Sequence, residues 1–385
     1  MALVPNRKKV SCTSSYIHDD IAFGILSKLP IKSLKRFTCV RKSWSLLFQS
    51  PNFIQKFRNN LVTKSHSPYD DDHDDDVCFL FIWVVFPSLF YSISGEKFEN
   101  EVKLDLPPQF DNTFHLVLGS SINGILCVYD HVDHSNVALW NPTTGENKVI
   151  PPRLSECLPN FVDVFHLRAF GYDHVTDDYK VIQHVSFHPI LDGRVREEDL
   201  PMTPDPFWEI YSLRSNSWRR LVVDMPVLNS NTTNVYLNGM CHWFGLSDGK
   251  TFSVVSYNLS NEMFFTTPVD CHARSFSNLM VLNGYIALTT KCYDDKFFNI
   301  SVLGEIGVKE SWTKLFEFGS MPWIDLSLDV WMKGKIFLSQ INGKVACFDL
   351  TTEEVIEEID FKGDSKNCLI VPYKKNFGTI GEVDN

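Results

Sequence analysis

The sequence predicts an α+β, multidomain chain: a small unit of three helices, then an all-β repeat domain that closes as a β-propeller of about six blades. Three observations predict it. Apolar residues recur every fourth position only near the start of the chain; a run of aspartates then interrupts it; and from residue 77 short apolar strands alternate with tight turns. A two-sheet β-sandwich is the alternative that the same strand content allows.

The helical unit comes first. Asp19 and Asp20 stand where a helix start favours negative charge, and Ile21, Ile25 and Leu29 then fall on one face. Pro30 stops this helix. Ser33 is placed to cap a second helix carrying Leu34, Phe37 and Val40, and Trp44, Leu47 and Phe48 mark a third before the Ser50-Pro51 break. A unit of about forty residues is too small to rely on its own core, so it calls for a partner.

Residues 61–76 form the link to the next domain, ending in six aspartates around His73. With no apolar residue from 63 to 76 to hold a geometry, this tract reads as a solvated, self-repelling spacer rather than a cation site. The segment from Val77 to Ser94 is uncharged over 18 residues, the lower edge of membrane-spanning length, but Pro87 divides it into two buried strands.

Beyond that point the pattern repeats. Asn-Gly or Lys-Gly sits inside a hairpin in SINGILCVYD (121–130), VYLNGMCHWFG (235–245), MVLNGYIALT (280–289) and VWMKGKIFLS (330–339). Each is followed by a second hairpin with polar turn residues, as in VALWNPTTGENKVIPP (137–152) and SVVSYNLSNEMFFTTP (253–268). Residues 169–221 fit the same four-strand scheme, parted by an insertion. Gly124 to Gly171, Gly239 to Gly284 and Gly284 to Gly334 are 47, 45 and 50 residues apart. A four-strand unit at that period is a propeller blade, and NCLIVPYK at 367–374 is placed to complete the blade begun near residue 78.

Composition narrows the function classes. With 385 residues, 44% of them hydrophobic, the chain can bury a large core, while a formal net charge of −11 argues against a nucleic-acid binder. Ten cysteines without a CxxC pair read as reduced core thiols. The first fifteen residues lack the apolar run of a signal peptide, so the expected location is cytoplasmic and/or nuclear.

The signatures of nucleophilic, nucleotide and zinc chemistry are missing, and no catalytic, metal or cofactor residue is assigned. Cys241-His242 and Cys271-His272 are neighbours on a strand, so the cysteines read as core and the histidines as surface or rim. Asp177-Asp178 and Glu197-Glu198 read as solvated charge. Trp140, Trp218, Trp243 and Trp312 recur at equivalent points of the units and read as packing between blades. The insertion at 188–207, long and proline-rich, is the candidate recognition loop, with Asp192, Arg194, Arg196, Glu197 and Glu198 as its candidate substrate contacts.

Two stretches also carry a family resemblance. Ile25-Leu26-x-x-Leu29-Pro30-x-x-Ser33-Leu34, Val40-Arg41-Lys42-x-Trp44 and Ser50-Pro51-x-Phe53 resemble the F-box in order and spacing. His18 stands where that family usually has proline, which bears on adaptor affinity, and Arg41-Lys42 replaces a Cys-Lys pair. LWNPTTGE, AFGYDHVTDDYKVI, EIYSLRSNSWRRL and YLNGMCHWFG resemble the kelch-related, F-box-associated interaction domain of a large group of plant proteins.

The resemblance divides the chain into an F-box at 15–60, an acidic linker at 61–76, a β-repeat domain at 77–374 and a tail at 375–385. It implies a non-catalytic, substrate-recognition subunit of an SCF-type cullin-RING ubiquitin ligase. Its partners would be a Skp-type adaptor, through it the cullin and RING subunits, and a protein substrate, with no membrane, nucleic acid or cofactor. It assigns Ile17, Ile21, Ile25, Leu26, Leu29, Pro30, Leu34, Val40 and Trp44 to the adaptor interface or to the helix packing behind it. An adaptor-bound scaffold outside any ligase and a glycan-binding propeller are the alternatives.

Overall fold

The computed structural model describes residues 19–63, 77–83, 88–95, 98–110, 115–130, 136–153, 160–190, 202–227, 234–247, 249–270, 275–292, 297–319, 324–332, 334–340, 342, 344–359 and 368–380. These fall into two compact units, Met1–Leu61 and Val62–Asn385.

The first unit holds four helices where three were expected: α1 (Asp19–Leu26), α2 (Ile31–Phe37), α3 (Lys42–Phe48) and α4 (Pro51–Thr63). Both differences have one cause, the double meaning of proline. Pro30 is the N-cap of α2, with φ −58° and ψ 145°, so Ser33 lies inside the helix and does not cap it. Pro51 is the first residue of α4 rather than a break, and Ser50 caps that helix by accepting from the Phe53 N–H at 3.3 Å. Proline ends one helix but also suits the first turn of the next, where its missing N–H costs nothing.

The added helix supplies the core of this unit. Phe53, Phe57 and Leu61 recur every fourth residue and are buried, which contributes about 1.5–3 kcal/mol per side chain. Phe23 meets Phe53 edge-on at 5.6 Å, and Phe48 lies 5.0 Å from it. The Asn60 Nδ2 donates to both the carbonyl and the hydroxyl of Ser27, each at 3.0 Å, tying α4 to the end of α1.

The second unit is a six-bladed propeller, and the sandwich alternative falls. Blade 1 contains β1 (Val77–Trp83), β2 (Leu89–Ser94) and β3 (Asn100–Leu104); blade 2 contains β4 (His115–Val117), β5 (Leu126–Asp130), β6 (Val137–Trp140) and β7 (Asn147–Val149). Blade 3 contains β8 (Phe161–Asp173), β9 (Asp178–Pro189), β10 (Phe207–Ser212) and β11 (Ser217–Leu221); blade 4 contains β12 (Asn234–Leu237), β13 (Met240–Ser247), β14 (Thr251–Asn258) and β15 (Phe264–Pro268). Blade 5 runs through β16 (Ser275–Leu282), β17 (Tyr285–Cys292), β18 (Phe298–Leu303) and β19 (Trp312–Phe318); blade 6 through β20 (Ile324–Met332), β21 (Lys335–Gln340), β22 (Val345–Asp349) and β23 (Glu354–Ile359).

The last strand, β24 (Cys368–Lys374), pairs antiparallel with β1, setting Cys78 against Tyr373 and Leu80 against Val371. It is the fourth strand of blade 1, so the two ends of the domain share one sheet. Strands β8, β12, β16, β20 and β24 lie beside one another as inner strands.

The core sits between blades. Leu80, Leu126, Trp140 and Tyr373 fill the seam of blades 1 and 2. Leu139 and Tyr211 fill the next, and Ile182, Trp243 and Tyr257 the one after. Phe244 and Leu288 join blades 4 and 5, Phe318 meets Phe348 edge-on at 5.2 Å between blades 5 and 6, and Phe79 packs with Phe337 between blades 6 and 1. All four tryptophans expected to pack between blades are at seams, but they form two pairs rather than one equivalent set. Trp140 and Trp243 are buried on middle strands, whereas Trp218 and Trp312 lie on outer strands. Their indole N–H groups donate to the carbonyls of Pro151 at 2.9 Å and Pro268 at 3.2 Å, at the end of the preceding blade.

Turn chemistry explains the period. Asn123-Gly124, Asn238-Gly239 and Asn283-Gly284 all have positive φ at both residues, 51° and 73°, 51° and 77°, 47° and 77°, the two-residue hairpin that suits strand twist. Gly171 is different. It lies within β8 at negative φ, where a Cβ would come within 2.5 Å of Leu259 Cδ1 and 2.7 Å of Cys241 Sγ. A second repeated turn closes the other hairpins: Asn141, Asn258 and Asp349 accept from the N–H two residues on, at 3.0, 2.9 and 2.6 Å, and Gly145, Glu262 and Glu353 take the left-handed position four residues on.

From β24 the chain crosses to blade 2. The buried Asn141 donates through Nδ2 to the carbonyls of Asn376 at 2.9 Å and Gly378 at 3.0 Å, and the Asn376 N–H donates to Thr143 Oγ1 at 3.2 Å. Ile380 packs onto the seam of blades 2 and 3.

Candidate interaction surfaces

On the helical unit, the nine residues assigned to the adaptor interface separate into two groups. Leu26 and Leu34 are buried within the unit, alongside Ala22 and Ile31. Trp44 is half-buried with its ring 5.8 Å from Phe37, and Leu29 is half-buried. Pro30 is exposed, and Ile21, Ile25 and Val40 are exposed by 58%, 54% and 64%. Ile17 lies outside the described residues.

The inward face of α1 is therefore Ala22 and Leu26, not the Ile21–Ile25–Leu29 stripe that a lone amphipathic helix would bury. Leu46, 70% exposed on α3, adds to the outward apolar set and was not singled out from sequence. Its signal is positional: Phe37 holds Trp44 inward, and Leu46 falls on the other side of so short a helix.

On the propeller, the insertion departs from blade 3. The β8–β9 hairpin extends past β10 there: Val185 opposite Phe207 is the last pair of β9 with β10, while β8 and β9 continue to the pair Phe161 and Pro189. Phe161, Val185, Phe187 and Phe207 form a small core under this extension.

A charged network braces it. The Arg153 Nε lies 2.7 Å from Glu209 Oε1 and its Nη1 3.5 Å from Asp163 Oδ2, while Gln183 Nε2 donates to Glu209 Oε2 at 3.2 Å. All four side chains are largely buried, so removing one would leave the others desolvated without full compensation. Phe207 is flanked by two guanidinium groups, Arg153 at 4.7 Å and Arg220 at 3.7 Å from its ring centre. Val162, Ile190 and Met202 are exposed around the root of the insertion. The substrate candidates Asp192, Arg194, Arg196, Glu197 and Glu198 lie outside the described residues.

Two expectations about polar residues are corrected by burial. His242 is not at the surface: it is buried, its Nδ1 is 2.8 Å from Ser256 Oγ, and burial lowers its pKa to about 3. Cys241 is buried as expected, and burial pushes its thiol well above the ordinary range. The second correction concerns Asp178, which is structural rather than solvated, whereas its neighbour Asp177 is exposed. Asp178 is buried, accepting from Ser212 Oγ at 2.6 Å and the Arg214 N–H at 2.9 Å, and Asp177 accepts from the Tyr172 hydroxyl.

A buried ion pair beside them escaped the sequence reading. Lys180 Nζ is 2.6 Å from Asp173 Oδ2 and donates to the Leu259 carbonyl at 3.0 Å, while Ser260 Oγ donates to Asp173 Oδ1 at 2.5 Å, so the pair joins blades 3 and 4. Among the described residues no group of three or more His, Cys, Asp and Glu side chains is placed to hold a metal ion, and no helix is long and apolar enough to cross a membrane.

Comparison with known proteins adds to this geometry. The family described as "F-box associated beta propeller domain" matches residues 88–377. An F-box/kelch-repeat protein of Arabidopsis thaliana is 26% identical over 354 residues, covering 84% of this chain and 85% of the relative. F-box protein CPR1 of the same plant is 25% identical over 369 residues, covering 87% and 82%. Among solved structures, TolB from Acinetobacter baumannii aligns with 79% of this chain and 65% of its own, at 10% identity and a TM-score of 0.42.

Proposed function

The chain belongs to the F-box associated beta propeller domain family, and on that premise we propose that it is the substrate-recognition subunit of an SCF-type cullin-RING ubiquitin ligase. In this reading the helical unit is the F-box and docks on a Skp-type adaptor, which links it to the cullin and RING subunits. The propeller holds a target protein. The chain makes and breaks no bond itself; it raises the effective concentration of the target's lysines near the charged conjugating enzyme, in the cytosol or nucleus.

The observation that carries the reading is the outward position of Ile21, Ile25 and Val40. These large apolar side chains stand exposed on a unit small enough to need them inside, at positions which the resemblance gives to the adaptor contact. Leu26 and Leu34 pack behind them. The root of the insertion in blade 3, where Val162, Ile190 and Met202 are exposed over a braced hairpin, is the surface we assign to the target.

Capture from plant extract tests this. Tagged full-length protein should bring down a Skp-type adaptor together with a cullin, and Ile21→Asp with Ile25→Asp should lose both while the β-sheet circular dichroism is kept. Adaptor without cullin would favour the scaffold reading instead, and undiminished adaptor capture by the double variant would sink the assignment of the helical face.

A further inference from the structure

The arginines around blade 3 use their N–H groups in different ways. Arg219 reaches Glu262 of blade 4, the Arg214 Nη1 donates to the Thr176 carbonyl at 2.9 Å, and Arg153, just past blade 2, is held by Glu209 and Asp163. Arg220 differs. It is exposed, its guanidinium lies on the Phe207 ring, and among the described residues no carboxylate or carbonyl accepts from it.

This arginine is nevertheless fixed in place. Arg153 and Phe187 pack on the buried Phe207, the two phenyl rings 6.0 Å apart, and Phe207 sets the position of Arg220, 3.7 Å from its ring centre. A guanidinium laid on a ring keeps its N–H groups in a plane clear of that ring. Much of the entropy of ordering a long side chain is then lost on folding rather than on binding. Apolar side chains border the fork: Val222, two residues on from Arg220, is fully exposed, and Met202, five before Phe207, nearly so.

Resting on the receptor reading, we infer that the root of the insertion recognises a target segment in which one Asp or Glu stands beside an aliphatic residue. Arg220 takes the carboxylate as a two-pronged pair, and the aliphatic side chain lies against Val222 and Met202. A carboxylate fits this fork better than a phosphate does. Its single charge and two coplanar oxygens match one guanidinium, whereas a phosphoryl group carries nearly two charges and calls for several cations. Here Arg153 and Arg219 are already paired with carboxylates, Asp205 and Asp224 are exposed close by in sequence, and the formal net charge of the chain is −11. The same carboxylates repel a run of acidic residues, so the segment carries one.

The test is selection from a random peptide library displayed on phage, panned on the purified full chain, with fluorescence-anisotropy titration of the peptides obtained. Capture of adaptor and cullin is measured in parallel. The parent should enrich Asp or Glu next to Leu, Ile, Val or Met. Arg220→Ala should weaken the selected peptides about tenfold or more, and Arg220→Lys, which keeps the charge but not the fork, about threefold. Arg220→Glu should turn the selection from acidic to basic peptides. Arg219→Ala, on the opposite face of β11, should leave their affinity unchanged, and sheet circular dichroism checks that each variant is folded.

A library that yields no peptide, a selection without acidic preference, or peptides that bind Arg220→Ala as tightly as the parent overturns this inference and leaves the receptor reading standing. A gain of about tenfold when phosphoserine replaces the selected acidic residue overturns it too, by assigning the fork to phosphate. An Arg220-dependent acidic preference in a chain that captures neither adaptor nor cullin overturns the receptor reading and keeps the peptide site.

Discussion

The helical unit and the propeller handle the same problem, apolar surface, in opposite ways. The propeller closes on itself: β24 completes the blade that β1 begins, and every described seam between blades holds large buried side chains such as Trp140, Tyr211, Trp243 and Phe316. Its exposed residues are mostly in outer strands and loops. The helical unit buries Leu26, Leu34, Phe53 and Phe57 and leaves Ile21, Ile25, Val40 and Leu46 outside. One unit buries its seams; the other keeps large apolar side chains exposed among its described residues. Size is the reason, because a ring with 24 strands among its described residues encloses enough volume to hide its apolar faces and the four short helices described do not.

The strongest way to break this contrast is to attack closure. Val371 is buried in β24 opposite Leu80, and Val371→Asp would place a carboxylate in the seam of blades 1 and 2. The expected loss is more than about 4 kcal/mol, read as a fall in the denaturant midpoint of the propeller's sheet signal. A variant as stable as the parent would mean that the ring does not depend on its last strand.

Within the helical unit the contrast can be sharpened between two neighbours. Leu26→Ala should cost about 3 kcal/mol because Leu26 is buried, whereas Ile25→Ala, one residue earlier on the exposed face, should change stability by less than about 0.5 kcal/mol. Thermal melting monitored by helical circular dichroism separates them, and equal losses would remove the distinction between packing and contact residues.

The smallest effect expected is a difference in acid sensitivity. Burial, then the neighbouring Arg168 and His166, lowers His184 to about 4, and burial lowers His242 to about 3. Both stay neutral in the folded propeller while an unfolded histidine charges below about pH 6.5, so their contribution is complete above that pH and is lost as pH falls toward the folded values. Between pH 7 and pH 5 the propeller should lose roughly 1–2 kcal/mol per histidine. His242→Asn should flatten that slope. The described helices of the first unit contain no histidine and should not share it.

Much of the propeller was legible because its turns are chemically specific. Asn-Gly pairs mark hairpins by requiring positive φ, and the apolar strand at 367–374 had no other place to pair. The blade-3 ion pair was not legible: Asp173 and Lys180 are separated by a turn, and only their burial against Leu259 and Ser260 of the next blade turns two ordinary charges into a joint. His242 was misjudged for the same reason, since strand alternation tells which side it points to but not whether another blade covers that side.

By itself, then, the sequence determined the order of parts: a short helical stretch, an acidic link, and a four-strand unit repeated with its last strand supplied by the chain's end. These are local facts, written in periodicity and in turn residues whose backbone angles are a property of the residue. The tertiary structure alone decided that Pro51 opens a helix instead of closing the unit, that α4 takes the inside position, and that Ile21 and Ile25 consequently face out while Ala22 and Leu26 face in. A helix carries apolar residues without stating which of them its neighbours will cover. That choice belongs to packing.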